Sequence, residues 1–143
     1  MLVGMMPMAA APAYAGGVTA TSALYINYSD GSTTTVEAAN DAYGTGWSYN
    51  AATATLTLEG FNGSYIGADG DLNIILKDTN TITPINTNRN AIKATGVITI
   101  NKKSNDETDK LIIENTSLIA APFIAIEGSG GRYGDVLQCG GTV

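Results

Sequence analysis

Aromatic and acidic side chains are the residues of this 143-residue chain best equipped for chemistry with a ligand. Tyr43, Trp47 and Tyr49 lie within seven positions, and Tyr65 follows. Aromatic faces pack well on the C–H-rich faces of sugar rings. Trp47 has a competing role as the apolar plug of a stack's open end, leaving Tyr49 and Tyr65 as the candidate platforms. Asp69 and Asp71 flank Gly70, and Asp78 stands at the next turn. Three carboxylates around one strand offer the hard oxygen ligands that calcium takes in flexible geometry. Ordinary turn chemistry also uses Asp and Gly at such places. Asp106, Glu107 and Asp109 form a second acidic group, and no full EF-hand pattern is present.

Composition removes several other chemistries. The chain has no His, so imidazole triads and zinc sites that need imidazole are excluded. A single cysteine, Cys139, permits neither an intrachain disulfide nor a thiolate cage. Net charge is −6 with 7 Lys+Arg, which gives no basic footprint for nucleic acid. A lyase would need a strong base beside carboxylates. The two arginines are Arg89, in the polar turn 86–90, and Arg132, and the acids expected to face outward, Glu59 and Glu114, are scattered. The expectation is a protein that is not an enzyme.

The elements that must position these residues are strands. Hydrophobic residues reach 44% while charged ones stay at 14%, with 17 glycines. That balance supports a core and disfavours a helical bundle. Residues 24–27 and 33–37 flank Tyr28-Ser29-Asp30-Gly31, a hairpin signal. Thr55-Leu56-Thr57-Leu58-Glu59 alternates strictly, and residues 72–76, 97–100, 111–114 and 123–127 are further β-prone runs. Leu72, Ile74, Leu76, Ile98 and Ile100 are expected to point inward.

The spacing of these runs repeats. Ile66 to Ile92, Leu72 to Ile98 and Ile74 to Ile100 are each 26 residues, and Ile82 to Ile112 is 30, with the polar loop 101–109 between. A repeat of this length points to a solenoid. The fold expected is all-β, a short and incomplete right-handed parallel β-helix, with an antiparallel β-sandwich as the alternative. Residues 67–71 and 78–80 are expected at corners, and Asn80 is a candidate rung of an asparagine ladder. Asn73 and Thr99 should face outward one coil apart, and Tyr65 and Lys93 should flank a neighbouring face. A flat outer face with such rows suits an extended polymer, and Lys93 would pair with a uronate.

Three organisational units follow: a signal-peptide remnant (1–15), an N-terminal hairpin and cap (16–50), and coils (51–143) that are incomplete at the C-terminus. The apolar start ends in Ala13-Tyr14-Ala15, whose small residues suit signal peptidase, and is too short to span a bilayer. The expectation is a secreted or cell-surface chain, not inserted in a membrane, with further domains in the same polypeptide.

An ordered series carries a resemblance: Gly46-Trp47-Ser48-Tyr49-Asn50, Thr53, residues 55–58, Phe61-Asn62-Gly63, Ile66, residues 70–74 and Asn80-Thr81-Ile82. It resembles the carbohydrate-binding β-helix domain of clostridial and other Firmicutes surface proteins, over roughly Tyr43 to Glu114. The resemblance implies a pectate-lyase-like fold, bound calcium, and binding of plant polysaccharides, acidic ones included, without cleavage. Together these readings point to a non-catalytic extracellular polysaccharide-binding module, calcium-assisted through Asp69, Asp71 and Asp78. Its glycan contacts would be Tyr49, Tyr65, Asn73, Lys93 and Thr99. The alternatives are a structural solenoid stalk and a polysaccharide lyase fragment.

Overall fold

The computed structural model describes residues 23–37, 40–85, 90–114, 124–133 and 136–138. The N-terminal segment expected to be an export signal, Arg89, Phe123 and Cys139 lie outside them. Fourteen strands run in chain order: β1 (Ala23–Tyr28), β2 (Thr33–Glu37), β3 (Ala42–Gly44), β4 (Trp47–Asn50), β5 (Thr55–Glu59), β6 (Asn62–Asp69), β7 (Leu72–Lys77), β8 (Thr79–Ile82), β9 (Ile92–Ala94), β10 (Val97–Lys102), β11 (Lys110–Ile113), β12 (Ile126–Glu127), β13 (Gly130–Tyr133) and β14 (Val136–Gln138). A 3-10 turn, Ala51–Thr53, joins β4 to β5. Among the described residues no helix is long and apolar enough to cross a membrane.

The chain is all-β, and both of its sheets are mixed. The first has the order β12-β9-β6-β8-β11-β14, with β1 also paired to β6 and β2 to β1. The second has the order β13-β10-β7-β5-β4-β3. In each sheet the later strands pair in parallel, and the N-terminal strands add antiparallel ones: β1 and β2 on the first sheet, β4 and β3 on the second.

Alternation within the strands builds the core. Leu56 lies opposite Ile74, and Ile74 opposite Ile100, in parallel register; Leu72 lies opposite Ile98. Ile66 faces Ile92, which faces Ile126. Register partners share a face, so these residues form inward files; Leu56, Ile66, Leu72, Ile74, Ile92, Ile98 and Ile100 are each 0% exposed. Burial of one such side chain contributes about 1.5–3 kcal/mol.

Residues of positive φ turn the chain where strands end. Gly60 (φ 69°) follows β5, Gly70 (φ 124°) follows β6 and Asp78 (φ 60°) follows β7. Asp71 holds one corner: its Oδ1 accepts the Val97 N–H at 2.9 Å. A Cβ on Gly96 would collide with that carboxylate, so the close approach needs glycine there. The expected corner at residues 67–71 begins later, because Gly67 is a buried residue within β6.

Three expectations shift. The step between register partners is not constant: Leu56 to Ile74 is 18 residues, Ile74 to Ile100 is 26, and Ile98 to Gly131 is 33. The excess is carried by loops, which leave the paired strands in step. Ile82 pairs with Ile113 rather than Ile112, because Leu111 and Ile113 take the inward positions and Ile112 is only half-buried. Asn80 is no ladder rung, since its register partner in β11 is Leu111. It is wholly buried and acts as a stitch. Its Oδ1 accepts the Phe61 N–H at 2.8 Å, and its Nδ2 donates to the carbonyls of Lys77, Asp78 and Lys110 at 3.1, 2.9 and 3.2 Å.

The second acidic group organises the loop between β10 and β11. Asp109 is 4% exposed, and its carboxylate accepts the Ser104 Oγ–H (2.6 Å), the Ser104 N–H (3.0 Å) and the Asp78 N–H (2.8 Å). The Ser104 hydroxyl, then the Asp78 amide, hold Asp109 below its ordinary carboxylate range. Asp106 is lowered in the same way by the backbone and side chain of Thr108. A carboxylate whose folded pKa is depressed stabilises the fold above its unfolded value, and that contribution is lost as pH falls through the folded value. Thermal melting should therefore stay level near neutrality and drop below about pH 4. Asp109→Asn should flatten the drop while lowering the melting temperature at pH 7. Equal acid sensitivity in the variant, followed by circular dichroism, would assign the effect elsewhere.

Candidate functional site

The outward face of the second sheet follows from the same alternation that builds the core. Between inward Trp47 and Tyr49, and on either side of Leu56, Ile74 and Ile100, stand outward residues. Tyr43 lies opposite Ser48, Ser48 opposite Thr57, Thr57 opposite Ile75, and Ile75 opposite Asn101. This row crosses five strands. A second row crosses four, Asn50 to Thr55 to Asn73 to Thr99, and continues in register to Arg132 of β13. Neighbouring strands lie about 4.8 Å apart, so both rows repeat at that interval.

Tyr43 stands at the edge of this face, 86% exposed. Beside it is a shallow cleft of about 290 Å3, lined by Tyr43, Gly44, Gly46, Trp47, Ser48, Thr57 and Glu59. The β3–β4 hairpin builds it: Gly46, at φ 79°, makes the turn, and pairing Gly44 with Trp47 puts Tyr43 beside outward Ser48. Glu59 forms one wall, and Lys77 lies 2.9 Å from it. That neighbour raises the lysine's pKa, first through the hydrogen bond and then through charge. Tyr43 was grouped with Trp47 and Tyr49 in the sequence but was not among the five expected glycan contacts. The available signal was the parity of the hairpin, because Tyr43 pairs with the residue between inward Trp47 and Tyr49.

The five candidate glycan contacts do not form one site. Asn73 and Thr99 are side by side on the second sheet, half-buried, and the Asn73 Nδ2 donates to the Thr53 carbonyl at 3.0 Å. Tyr65 and Lys93 belong to the first sheet, on β6 and β9. Tyr65 is half-buried over Gly67, where an added Cβ would lie 2.7 Å from the ring. Burial, then Asp69 and Glu127, raises its phenol pKa. Lys93 is opposite Gly67, with Nζ 3.6 Å from Glu127 Oε1, so its charge already has an acidic neighbour.

Tyr49 requires correction as a sugar platform, because it is 5% exposed. β4 pairs antiparallel with β5, placing Trp47 opposite Leu58 and Tyr49 opposite Leu56. Both rings therefore face the core. Trp47 is 4% exposed, and its Nε1–H donates to the Tyr28 hydroxyl at 2.7 Å. The Tyr49 hydroxyl is buried with no hydrogen-bond partner. An unsatisfied buried hydroxyl costs about 1–3 kcal/mol. Tyr49→Phe should thus match or exceed the parent by up to about 1 kcal/mol, while Tyr28→Phe strips Trp47 of its acceptor and should lose about 1–2 kcal/mol. Urea unfolding of both variants decides this; a Tyr49→Phe loss as large as that of Tyr28→Phe would contradict it.

The carboxylates Asp69, Asp71 and Asp78 do not assemble. The Asp69 Oδ2 accepts the Tyr25 hydroxyl at 2.9 Å, which raises the Tyr25 pKa, and Asp71 holds the corner at Val97. Asp71 and Asp78 flank the two ends of the six-residue strand β7, about 23 Å apart at the rise of an extended chain. Among the described residues no three acidic, cysteine or histidine side chains gather where they could hold a metal ion. The set expected for calcium does not fit a single ion.

The chain matches no family model, and comparison with curated proteins and with solved structures finds no match. The resemblance to the carbohydrate-binding β-helix domain therefore rests on the motif series alone.

Proposed function

We propose that this chain is a non-catalytic polysaccharide-binding module acting outside the cell, and that its strands wind as a parallel β-helix. The in-register parallel pairs and the inward files of Leu and Ile support the coil reading. The apolar N-terminal segment ending at Ala15 supports export. One observation carries the function: Tyr43, 86% exposed, borders a cleft lined by the hydroxyls of Ser48 and Thr57, whose row continues in register to Ile75 and Asn101. An aromatic face beside aligned hydrogen-bonding groups is what an extended sugar chain requires. Each contact is weak, and affinity comes from repetition along the polymer.

The test is retention on insoluble cellulose and on polygalacturonate, with calcium and with a chelator. Retention by the parent chain, reduced about tenfold by Tyr43→Ala and unchanged by Lys93→Ala, is the expected result. Retention that ignores Tyr43 would move the site away from this face. Release of unsaturated sugar fragments would identify a lyase, and no retention on any polysaccharide would leave a structural stalk as the better account.

A further inference from the structure

We infer that the ligand of this face is a neutral polysaccharide, lying across the strands rather than along them; this rests on the binding reading above. The row Tyr43, Ser48, Thr57, Ile75 and Asn101 contains a phenol, two hydroxyls, an aliphatic side chain and an amide, and no charge. The parallel row Asn50, Thr55, Asn73 and Thr99 is also uncharged over its four strands. The nearest charges on β5 and β7 are Glu59 and Lys77, which pair with each other at 2.9 Å. A uronate chain laid here would meet no cation in either row over these strands; the next residue in register after Thr99 is Arg132. Taking a carboxylate onto a surface of hydroxyls and amides leaves its charge without a partner, whereas a neutral hydroxyl exchanges its water hydrogen bonds for protein ones.

Direction follows from the period. Across the strands the face repeats about every 4.8 Å, close to the advance of one ring in an extended pyranose chain, so successive sugars meet equivalent positions. Along a strand, outward residues recur at about 6.6 Å, and the rim formed by Glu59 and Lys77 is soon reached. The first row spans four strand intervals, about 19 Å, which accommodates about four or five rings with Tyr43 stacked at one end.

The experiment measures retention on cellulose, xylan and polygalacturonate from low salt to about 1 M, where exposed charges are screened within about 3 Å. Soluble oligosaccharides of increasing length then compete. Retention on a neutral polymer that is insensitive to salt and to Arg132→Ala supports the inference. So does competition that strengthens about tenfold from two to five rings and then levels off. Retention confined to polygalacturonate and released by salt or by Arg132→Ala overturns the neutral-chain assignment while leaving the binding reading in place. Competition that keeps strengthening well beyond five rings overturns the crosswise placement. No retention on any of the three polymers overturns both this inference and the reading beneath it.

Discussion

Ile74→Asp should abolish cooperative folding. Ile74 is wholly buried between Leu56 on β5 and Ile100 on β10, at the centre of the file that joins three strands. Its neighbours are hydrocarbon, so an aspartate there has no partner, and its desolvation costs several kcal/mol even if it takes up a proton. Domains are stable by about 5–15 kcal/mol, so little stability would be left. Ile74→Ala removes volume without adding a charge and should cost about 2–5 kcal/mol. Circular dichroism and urea unfolding distinguish the two: loss of the cooperative transition for Asp, a lower midpoint with unchanged slope for Ala. A folded Asp variant of near-parental stability would mean that the strands do not pack as described.

Asn80→Ala should produce a loss of about 3–4 kcal/mol, large for a polar residue. The side chain makes four hydrogen bonds within a site that excludes water, and it joins Phe61 before β6 to Lys110 at the start of β11. Alanine strands the Phe61 N–H and takes a donor from three carbonyls, of which that of Asp78 still accepts the Lys110 N–H at 3.1 Å. Asn80→Asp is the informative companion. A carboxylate can still accept from Phe61, but it faces the carbonyls of Lys77, Asp78 and Lys110 without protons to give them. Both variants should therefore be destabilised, with Asp no better than Ala at pH 7 and partly recovered at low pH where it gains a proton. A mild loss for Ala would show that water replaces the amide.

The strand cores were legible because alternation survives changes in loop length. Leu56 and Leu58, Leu72, Ile74 and Leu76, and Ile98 and Ile100 read as inward from parity alone, and each is buried. The 26-residue spacing also kept Asn73 and Thr99 in one row. Parity does not say which sheet a residue joins, because the chain changes sheet at corners such as Gly70. Asn73 and Thr99 lie on the second sheet, while Tyr65 and Lys93, expected on a neighbouring face, lie on the first. Tyr49 was misjudged for want of a partner: only pairing with Leu56 reveals its face. The glycine-rich segment 128–134 was not among the β-prone runs, because glycine disfavours strands. Residues 130–133 nevertheless pair with β10, since its open edge supplies hydrogen bonds that outweigh propensity. β6 was similarly obscured, its inward positions being filled by small residues beside Ile66.

The central claim is that the outward face of the second sheet is the ligand-binding surface. The most direct test is a backbone amide NMR titration of the labelled chain with a soluble five-ring neutral oligosaccharide. The expected result is a contiguous set of shifts at Tyr43, Ser48, Thr57, Ile75 and Asn101, with Tyr65 and Lys93 unmoved. Shifts centred on Tyr65 and Lys93, or none at saturating ligand, would contradict it.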